Sequence, residues 1–366
     1  MSFCFEFGPL EDLHKKILAG ERLNFEDGVR LYGSHDLPVL GALAQIVRER
    51  LNGRRVYYSR NLHLNYTNVC PSDCAFCAFS KKPGEKGSFT HTPEEVGRKV
   101  RDAVLRRGIN EVHLVGGNNP ELHLDYYLDL LKTIRRSAET VFIKAFTATE
   151  VGSLAGRENL PVRAVLLRLK EAGLDGLAGG GAEIFSTKVR EKICPNKIQA
   201  AEWLDIHCAA HELGLPSNAT MLYGHIESDE DRVDHVLRLR ECQDRTKGFQ
   251  SFVPLGYCPE KNRLSGVGQS GGHLDLKVLA VSRLLLDNIP HIKIHWVMAG
   301  LKMAQVALSF GADDLGGTNW DEKIFHEAGS GVPTDLSVET MGRTIREAGY
   351  EPCFTDSSYR KQVPVF

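Results

Sequence analysis

The chain has 366 residues, 42% of them hydrophobic and 25% charged, and its 45 Lys and Arg against 47 Asp and Glu leave a formal net charge of −2. That balance gives no electrostatic footprint for nucleic acid or an anionic membrane surface, so the expected partners are small molecules. No stretch approaches the roughly 20 apolar residues that cross a bilayer, no basic segment followed by an apolar one opens the chain, and nine cysteines, an odd count, suit reduced thiols in a cytoplasmic protein.

The length suits about two domains, or one α/β barrel of roughly 250 residues with extensions. Residues 5–55 read as charged helices closed by glycines, which predicts an N-terminal helical extension over residues 1–55. Alternation of Leu62, Leu64 and Tyr66 then reads as a strand delivering Cys70, Cys74 and Cys77 on the loop behind it. Thr92, Pro93 and Glu95 match a capping box with proline at the first helical position, so a helix is expected from there to about Arg107. Strand-like runs at 111–115, 141–146, 176–180, 218–224, 249–257, 292–298 and 313–318 each precede a helix-like run. With the strand at 62–67 these make eight β–α units. Alternation at this period implies a parallel sheet closed as an α/β, (β/α)8 TIM-type barrel over residues 56–330, with a C-terminal extension over residues 331–366 packed on it.

Three thiols spaced C-x3-C-x2-C on one loop suit iron–sulfur chemistry, because soft sulfur selects Fe–S clusters, Zn or Cu(I) over hard cations. The spacing differs from ferredoxin runs and from the paired C-x2-C of structural zinc. A [4Fe–4S] cube held by three cysteines keeps one iron open to a small molecule, which turns an electron store into a reaction centre. Three cysteines that merely fill a core are the competing reading, but Pro71, Ser72 and Asp73 make the segment a polar turn, a poor place to bury thiols. Cys4, Cys194, Cys208, Cys242, Cys258 and Cys353 are scattered and read as small hydrophobes.

In a (β/α)8 barrel the chemistry sits at the C-terminal ends of the strands. There, Gly116 and Gly117 allow close approach of a ligand or simply make a tight turn. Glu183, behind three glycines at 179–181, suits two hydroxyl donors or serves as a helix N-terminal acid. Arg190 can clamp a carboxylate or lie exposed on its helix, and Lys144, inside an apolar strand, points at an anion or at a core partner. His225, Tyr223 and His295 are candidates for proton transfer that no spacing singles out. His207 and His211 share a helix face, but without a third ligand they read as packing histidines. The string from Gly266 to Gly271 follows no strand and reads as a loop rather than a dinucleotide site.

The cysteine loop, with aromatic Phe76 before Cys77, resembles the signature of radical S-adenosylmethionine (SAM) enzymes. The resemblance implies Cys70, Cys74 and Cys77 as ligands of a [4Fe–4S] cluster, SAM chelated on the fourth iron and cleaved to methionine and a 5′-deoxyadenosyl radical, and Phe76 near the adenine. It also implies SAM contacts at Gly116 and Gly117, where Asn118 stands in place of the usual acid, and at Glu183 for the ribose hydroxyls; a carboxylate clamped by Arg190 would be SAM's or the substrate's. Longer segments (NYTNVCPSDCAFCAFSKKPG, GGNNP, KAFTATEV, GGGAEIF, ATMLYGHIE, FVPLGYCPEKN, LDNIPHIKIHWVM, FGADDLGGT) resemble the menaquinone-pathway radical SAM enzymes that handle futalosine intermediates, over about residues 40–357.

Within that group, KAFTATEV and FVPLGYCP are more similar to the member that adds the radical to 3-[(1-carboxyvinyl)oxy]benzoate than to its cyclising relative; the deazaflavin-precursor enzymes are less similar. The implied substrate is a small aromatic dicarboxylate, with Lys144, Thr147, Arg263 and Lys293 as expected anchors and a flavodoxin- or ferredoxin-type reductant as partner. A non-catalytic Fe–S carrier and a zinc barrel hydrolase are the readings of another class: a carrier would complete the fourth ligand, and a zinc site would not use an all-cysteine loop of this spacing.

Overall fold

A computed structural model describes residues 6–264, 266–360, 363 and 364; Cys4 lies outside the described residues. Its strands are β1 (Arg55–Ser59), β2 (Asn61–Leu64), β3 (Glu111–Leu114), β4 (Phe142–Thr147), β5 (Gly176–Ala178), β6 (Ser217–Tyr223), β7 (Phe249–Gly256), β8 (His291–Ile292), β9 (Asp314–Gly317), β10 (Glu351–Phe354) and β11 (Val363–Pro364). β2 to β8 form one parallel sheet in chain order. The chain around β9 meets both edges of that sheet through isolated parallel bridges, Lys293 to Asp314 on one side and, three residues beyond β9, Trp320 to Leu62 on the other. The curled seven-stranded parallel sheet, with β9 beside it, accords with the α/β barrel the sequence pattern predicts.

Two differences from the pattern have local causes. The run at 292–298 yields only a two-residue strand, because Trp296–Ala299 turns into helix. A second sheet, ordered β11-β10-β1-β9, joins residues on either side of the barrel: β1 pairs in parallel with both β9 and β10. Sequence alternation did not separate β1 from the preceding helices or reveal β10, since both are short.

Helix starts follow their capping chemistry. Thr92 accepts from the Glu95 amide, the Glu95 carboxylate accepts from the Thr92 amide, and Pro93–Arg107 ends at left-handed Gly108 (φ +59°). Reciprocal boxes also open the helices Phe25–Gly33, Ala148–Glu158 and Asp229–Thr246. Near the N-terminus, Leu37–Asn52 packs on Gly272–Leu285. The period of two decides what the strands bury. Leu62, Leu64, Val112, Leu114, Ile143 and Ala145 belong to the buried apolar core, while Asn61, His63, Glu111, His113 and Lys144, the alternate residues, line a cavity inside the barrel.

At the β8–β9 edge a fully buried guanidinium is neutralised in place. Arg283 donates to Asp313 Oδ1 (2.8 Å) and to the carbonyls of Ile289 and Gly311, and Asp313 also meets His291 Nδ1 (2.6 Å) and the Ile292 amide (2.7 Å). Burial opposes the Asp313 charge, but His291 and Arg283 outweigh it and hold the carboxyl below its ordinary range. Its contribution is therefore present above the unfolded value near pH ~4 and is lost as the pH falls through the lower folded value. Asp313→Ala, which leaves Arg283 buried without its counterion, is expected to lower stability by about 3–5 kcal/mol at neutral pH, read as a shift in the urea midpoint, with the gap to the unmutated protein narrowing in acid.

Candidate active site

The cysteine loop is pinned from several sides. Beyond β2, the Asn68 side chain accepts from the Phe89 amide (2.8 Å) and donates to the Gly87 carbonyl (3.0 Å), and Cys70 N–H donates to Lys81 (2.9 Å). Ala75 N–H donates to Ile193 (2.8 Å), and Arg263 N–H donates to the Ala75 carbonyl (2.8 Å). The Arg263 guanidinium reaches the Cys74 carbonyl (3.2 Å) and pairs with Asp73 (2.8 Å).

All three cysteines and Phe76 line the barrel cavity, which measures about 330 Å³. Cys74 is buried, and burial pushes its thiol up to about 12, against the pull of the Lys197 charge. Among the described residues no three His, Cys, Asp or Glu side chains converge on a single ion position. A cube assigns each thiolate to its own iron, so three separated soft donors on one loop, Cys70, Cys74 and Cys77, have the chemistry that would hold a [4Fe–4S] cluster.

The glycines around the loop have specific neighbours. A Cβ on Gly117 would sit on the Val69 carbonyl oxygen, and one on Gly116 would meet Tyr66 at 2.8 Å. Their first use is thus to let the cysteine-bearing backbone lie against the end of β3, where Gly117 N–H donates to Thr67 (2.9 Å). Asn118 reaches toward Ser72 Oγ (3.4 Å). Buried Glu150 gathers the Tyr66 hydroxyl (2.6 Å), the Gly116 amide (3.1 Å) and the Thr147 amide (2.7 Å), which ties the same corner to β4. Thr147 lines the cavity, but its hydroxyl caps the next helix by accepting from Glu150 N–H.

Glu183, at φ +48°, is ion-paired with Lys197, whose ammonium lies 5.3 Å from the centroid of the Phe76 ring. Burial opposes the charge of Lys197, yet Cys74 and Glu183 hold its pKa above the ordinary lysine value. Lys197 sits in a loop with no periodicity, and no pattern in the sequence marks it.

Deeper in the barrel, Lys144 is buried and partnered: its ammonium meets Glu111 Oε1 (2.8 Å) and donates to Ser357 Oγ (2.7 Å). Lys293 stands 3.4 Å from Asp314, which also accepts from the Tyr359 hydroxyl. His295 lines the cavity, with its pKa pushed down to about 3, chiefly by burial. The remaining candidates lie outside the lining. Arg190 donates to the carbonyls of Ala182 (2.5 Å), Ile184 (3.2 Å) and Ile198 (2.5 Å), bracing the segment that carries Glu183. The Tyr223 hydroxyl donates to Asp275 (2.8 Å), and His225 is held by Glu227, the Ile226 amide and the Leu222 carbonyl. Arg263 works on the outside of the cysteine loop. His207 and His211 both contact Ser217 Oγ, and Cys208 lies 3.1 Å from Cys242 between adjacent helices.

A parallel barrel with three thiols beyond the C-terminal edge of β2, glycines that admit that loop, and an ion pair whose lysine lies over an aromatic ring has the form of a cluster-dependent enzyme of small molecules. Residues 64–239 match the model of the radical SAM superfamily, and residues 246–365 match the CofH/MqnC C-terminal region. The chain belongs to the radical SAM superfamily, whose enzymes use a [4Fe–4S] cluster and SAM.

Aminodeoxyfutalosine synthase of Thermus thermophilus is 45% identical over 95% of this chain and 94% of its own, and that of Streptomyces coelicolor is 44% identical over 96% and 94%. A 5-amino-6-(D-ribitylamino)uracil–L-tyrosine 4-hydroxyphenyl transferase of Methanoculleus marisnigri is 42% identical over 93% and 94%. Methylornithine synthase shares the fold at 18% identity, with a TM-score of 0.75 over 94% of this chain and 98% of its own.

Cys74→Ala is expected to keep the circular dichroism spectrum while abolishing both the visible absorbance of the reconstituted cluster and reductive SAM cleavage; retained cleavage would contradict the ligand assignment. Gly117→Ala should displace the cysteine loop rather than unfold the barrel, so bound iron per chain falls while the thermal midpoint moves by only a few degrees, as expected of a change of about 1 kcal/mol.

Proposed function

We propose that the protein is an aminodeoxyfutalosine synthase, joining the 5′-deoxyadenosyl carbon of SAM to the enol-ether double bond of 3-[(1-carboxyvinyl)oxy]benzoate and, with water taken up as the carboxyl group leaves, giving 6-amino-6-deoxyfutalosine, bicarbonate and methionine for menaquinone synthesis. The observation that carries this is the 44–45% identity, across nearly full length, to two enzymes of that name. When bound, the cluster supplies the electron that cleaves SAM.

The chain supplies position and shielding. Glu183, turned into the cavity on a left-handed residue and flanked by Lys197, is the acceptor for the ribose hydroxyls, and Phe76 gives a flat apolar contact for the adenine. Gly179, whose Cβ would strike the Asn218 carbonyl, and Gly181 (φ +87°), whose Cβ would strike Thr149, let the segment leading to Glu183 lie close against its neighbours. The barrel wall excludes water around the reacting carbons, a condition for radical chemistry without side reactions. We also place the enzyme in the cytoplasm, with a flavodoxin or ferredoxin as its electron donor.

The methanogen transferase, at 42% identity, supports a second reading in which the acceptor is 5-amino-6-(D-ribitylamino)uracil; cyclisation of dehypoxanthine futalosine is the third. An anaerobic assay of reconstituted protein with SAM and dithionite, read by mass spectrometry, separates the three. The expected outcome is an adenosyl-linked product from the benzoate substrate. Product only with tyrosine and the ribitylaminouracil, or only from dehypoxanthine futalosine, would replace the proposal with the matching alternative.

A further inference from the structure

The unpaired polar atoms of the barrel point to a ligand. His63 Nε2, Asn319 Nδ2 and His295 Nδ1 are buried without a hydrogen-bond partner, and all three residues line the cavity. Buried polar atoms are ordinarily satisfied, so a group of them facing one space marks what that space is built to hold.

Asn319 is set in place by its neighbours. Its Oδ1 accepts from Asn61 Nδ2 (3.0 Å) and its amide donates to Asn61 Oδ1 (2.7 Å), which leaves Nδ2 as an unspent donor, held on a residue at φ +51°. His63 lies next to it across the barrel seam, where its own amide donates to the Trp320 carbonyl (2.9 Å). Its ring is 4.5 Å from that of His113, and burial pushes its pKa down to about 3, so it is neutral and able to offer an N–H. Lys293, on the neighbouring strand edge, touches Asp314 only at 3.4 Å, and Asp314 takes a second donor from Tyr359, so the ammonium keeps donors to spare.

Asn319 Nδ2 and the Lys293 ammonium are donors, and neutral His63 presents an N–H in the tautomer protonated at Nε2, whereas the acidic acceptors nearby are already engaged: Glu111 by Lys144 and the Ser357 amide, and Asp314 by Lys293, Tyr359 and the Gly316 amide. A converging set of donors matches a carboxylate, which only accepts.

We infer that His63, Asn319 and Lys293 form the seat of the substrate's aromatic-ring carboxylate, and so fix which end of the substrate faces SAM. The inference rests on the proposed substrate. The bond-forming vinyl carbon must lie at the cysteine-loop end, where SAM is cleaved. The ring carboxylate is then the group farthest from it, and it falls at the deep end of the cavity beside β2, β8 and β9. Lys144, held by Glu111 at 2.8 Å and Ser357 at 2.7 Å, is more fully engaged than Lys293 and sets the shape of that seat.

The test compares 3-[(1-carboxyvinyl)oxy]benzoate with 2-phenoxyacrylate, which lacks the ring carboxylate, in the cluster-loaded enzyme and in His63→Leu and Asn319→Ala. Unmutated enzyme should prefer the dicarboxylate, and each variant should lose about 10-fold or more of that preference in kcat/KM, through KM. A variant that misfolds is recognised by its lost cluster absorbance, and the other then decides. Variants that retain the cluster and the full preference overturn the inference.

If the unmutated enzyme converts neither compound, the proposed function falls and the seat is judged by calorimetric binding of benzoate against benzyl alcohol. Benzoate binding that disappears in the variants supports an aryl-carboxylate seat, and equal or absent binding in the unmutated protein refutes it.

Discussion

Everything in this structure depends on the barrel strands placing their polar side chains inward. In most barrels of this size the interior is filled by branched apolar residues; here Asn61, His63, Glu111, His113, Lys144, Asn218 and Thr220 share the lining with apolar Leu222, Val253 and Leu255. That arrangement creates a buried cavity and, with it, an obligation to neutralise each charge placed there. Lys144 with Glu111 and Lys293 with Asp314 meet that obligation inside the cavity, and Arg283 with Asp313 meets it at the seam. Polar groups left over in such an interior are costly unless a ligand completes them, and among the described residues that line the cavity His63, Asn319, His295 and Thr149 each keep a buried polar atom without a partner.

The second constraint is the distance at which the cysteine loop lies from the barrel. Gly116 and Gly117 let Tyr66, Thr67 and Val69 pack directly on the end of β3, and Glu150 locks the corner by accepting from Tyr66 and Gly116 together. The glycines that invite comparison with a ligand cradle therefore also serve the loop that carries the ligands. Arg263 and Arg190 act in the same spirit, spending their guanidinium donors on backbone carbonyls of the cysteine loop and of the Glu183 segment. Each is a long cation near the site whose work is to hold backbone in place.

Much of this was legible in the residues. The cysteine spacing, the β–α period, the Thr92 capping box and the family resemblance all follow from local chemistry that a single stretch of sequence expresses, and the barrel of β2 to β9 accords with them. Less legible were the residues whose importance depends on who stands beside them. Lys197 reaches Glu183 and Phe76 from a patternless loop, and Asn319 matters through a bond to Asn61, 258 positions earlier. The same holds for charges: that Lys144 is paired with Glu111, on the adjacent strand, is not visible in the sequence around either residue.

The sequence by itself determined the class of chemistry, because three thiols on one loop and eight alternating units are encoded within short windows whose spacing is chemically diagnostic. Only the tertiary structure decided which polar groups are spent and which are free. That is a property of pairing across strands far apart in the chain, and hydrogen bonds and ion pairs between buried groups are fixed by the three-dimensional neighbours that desolvate and satisfy them.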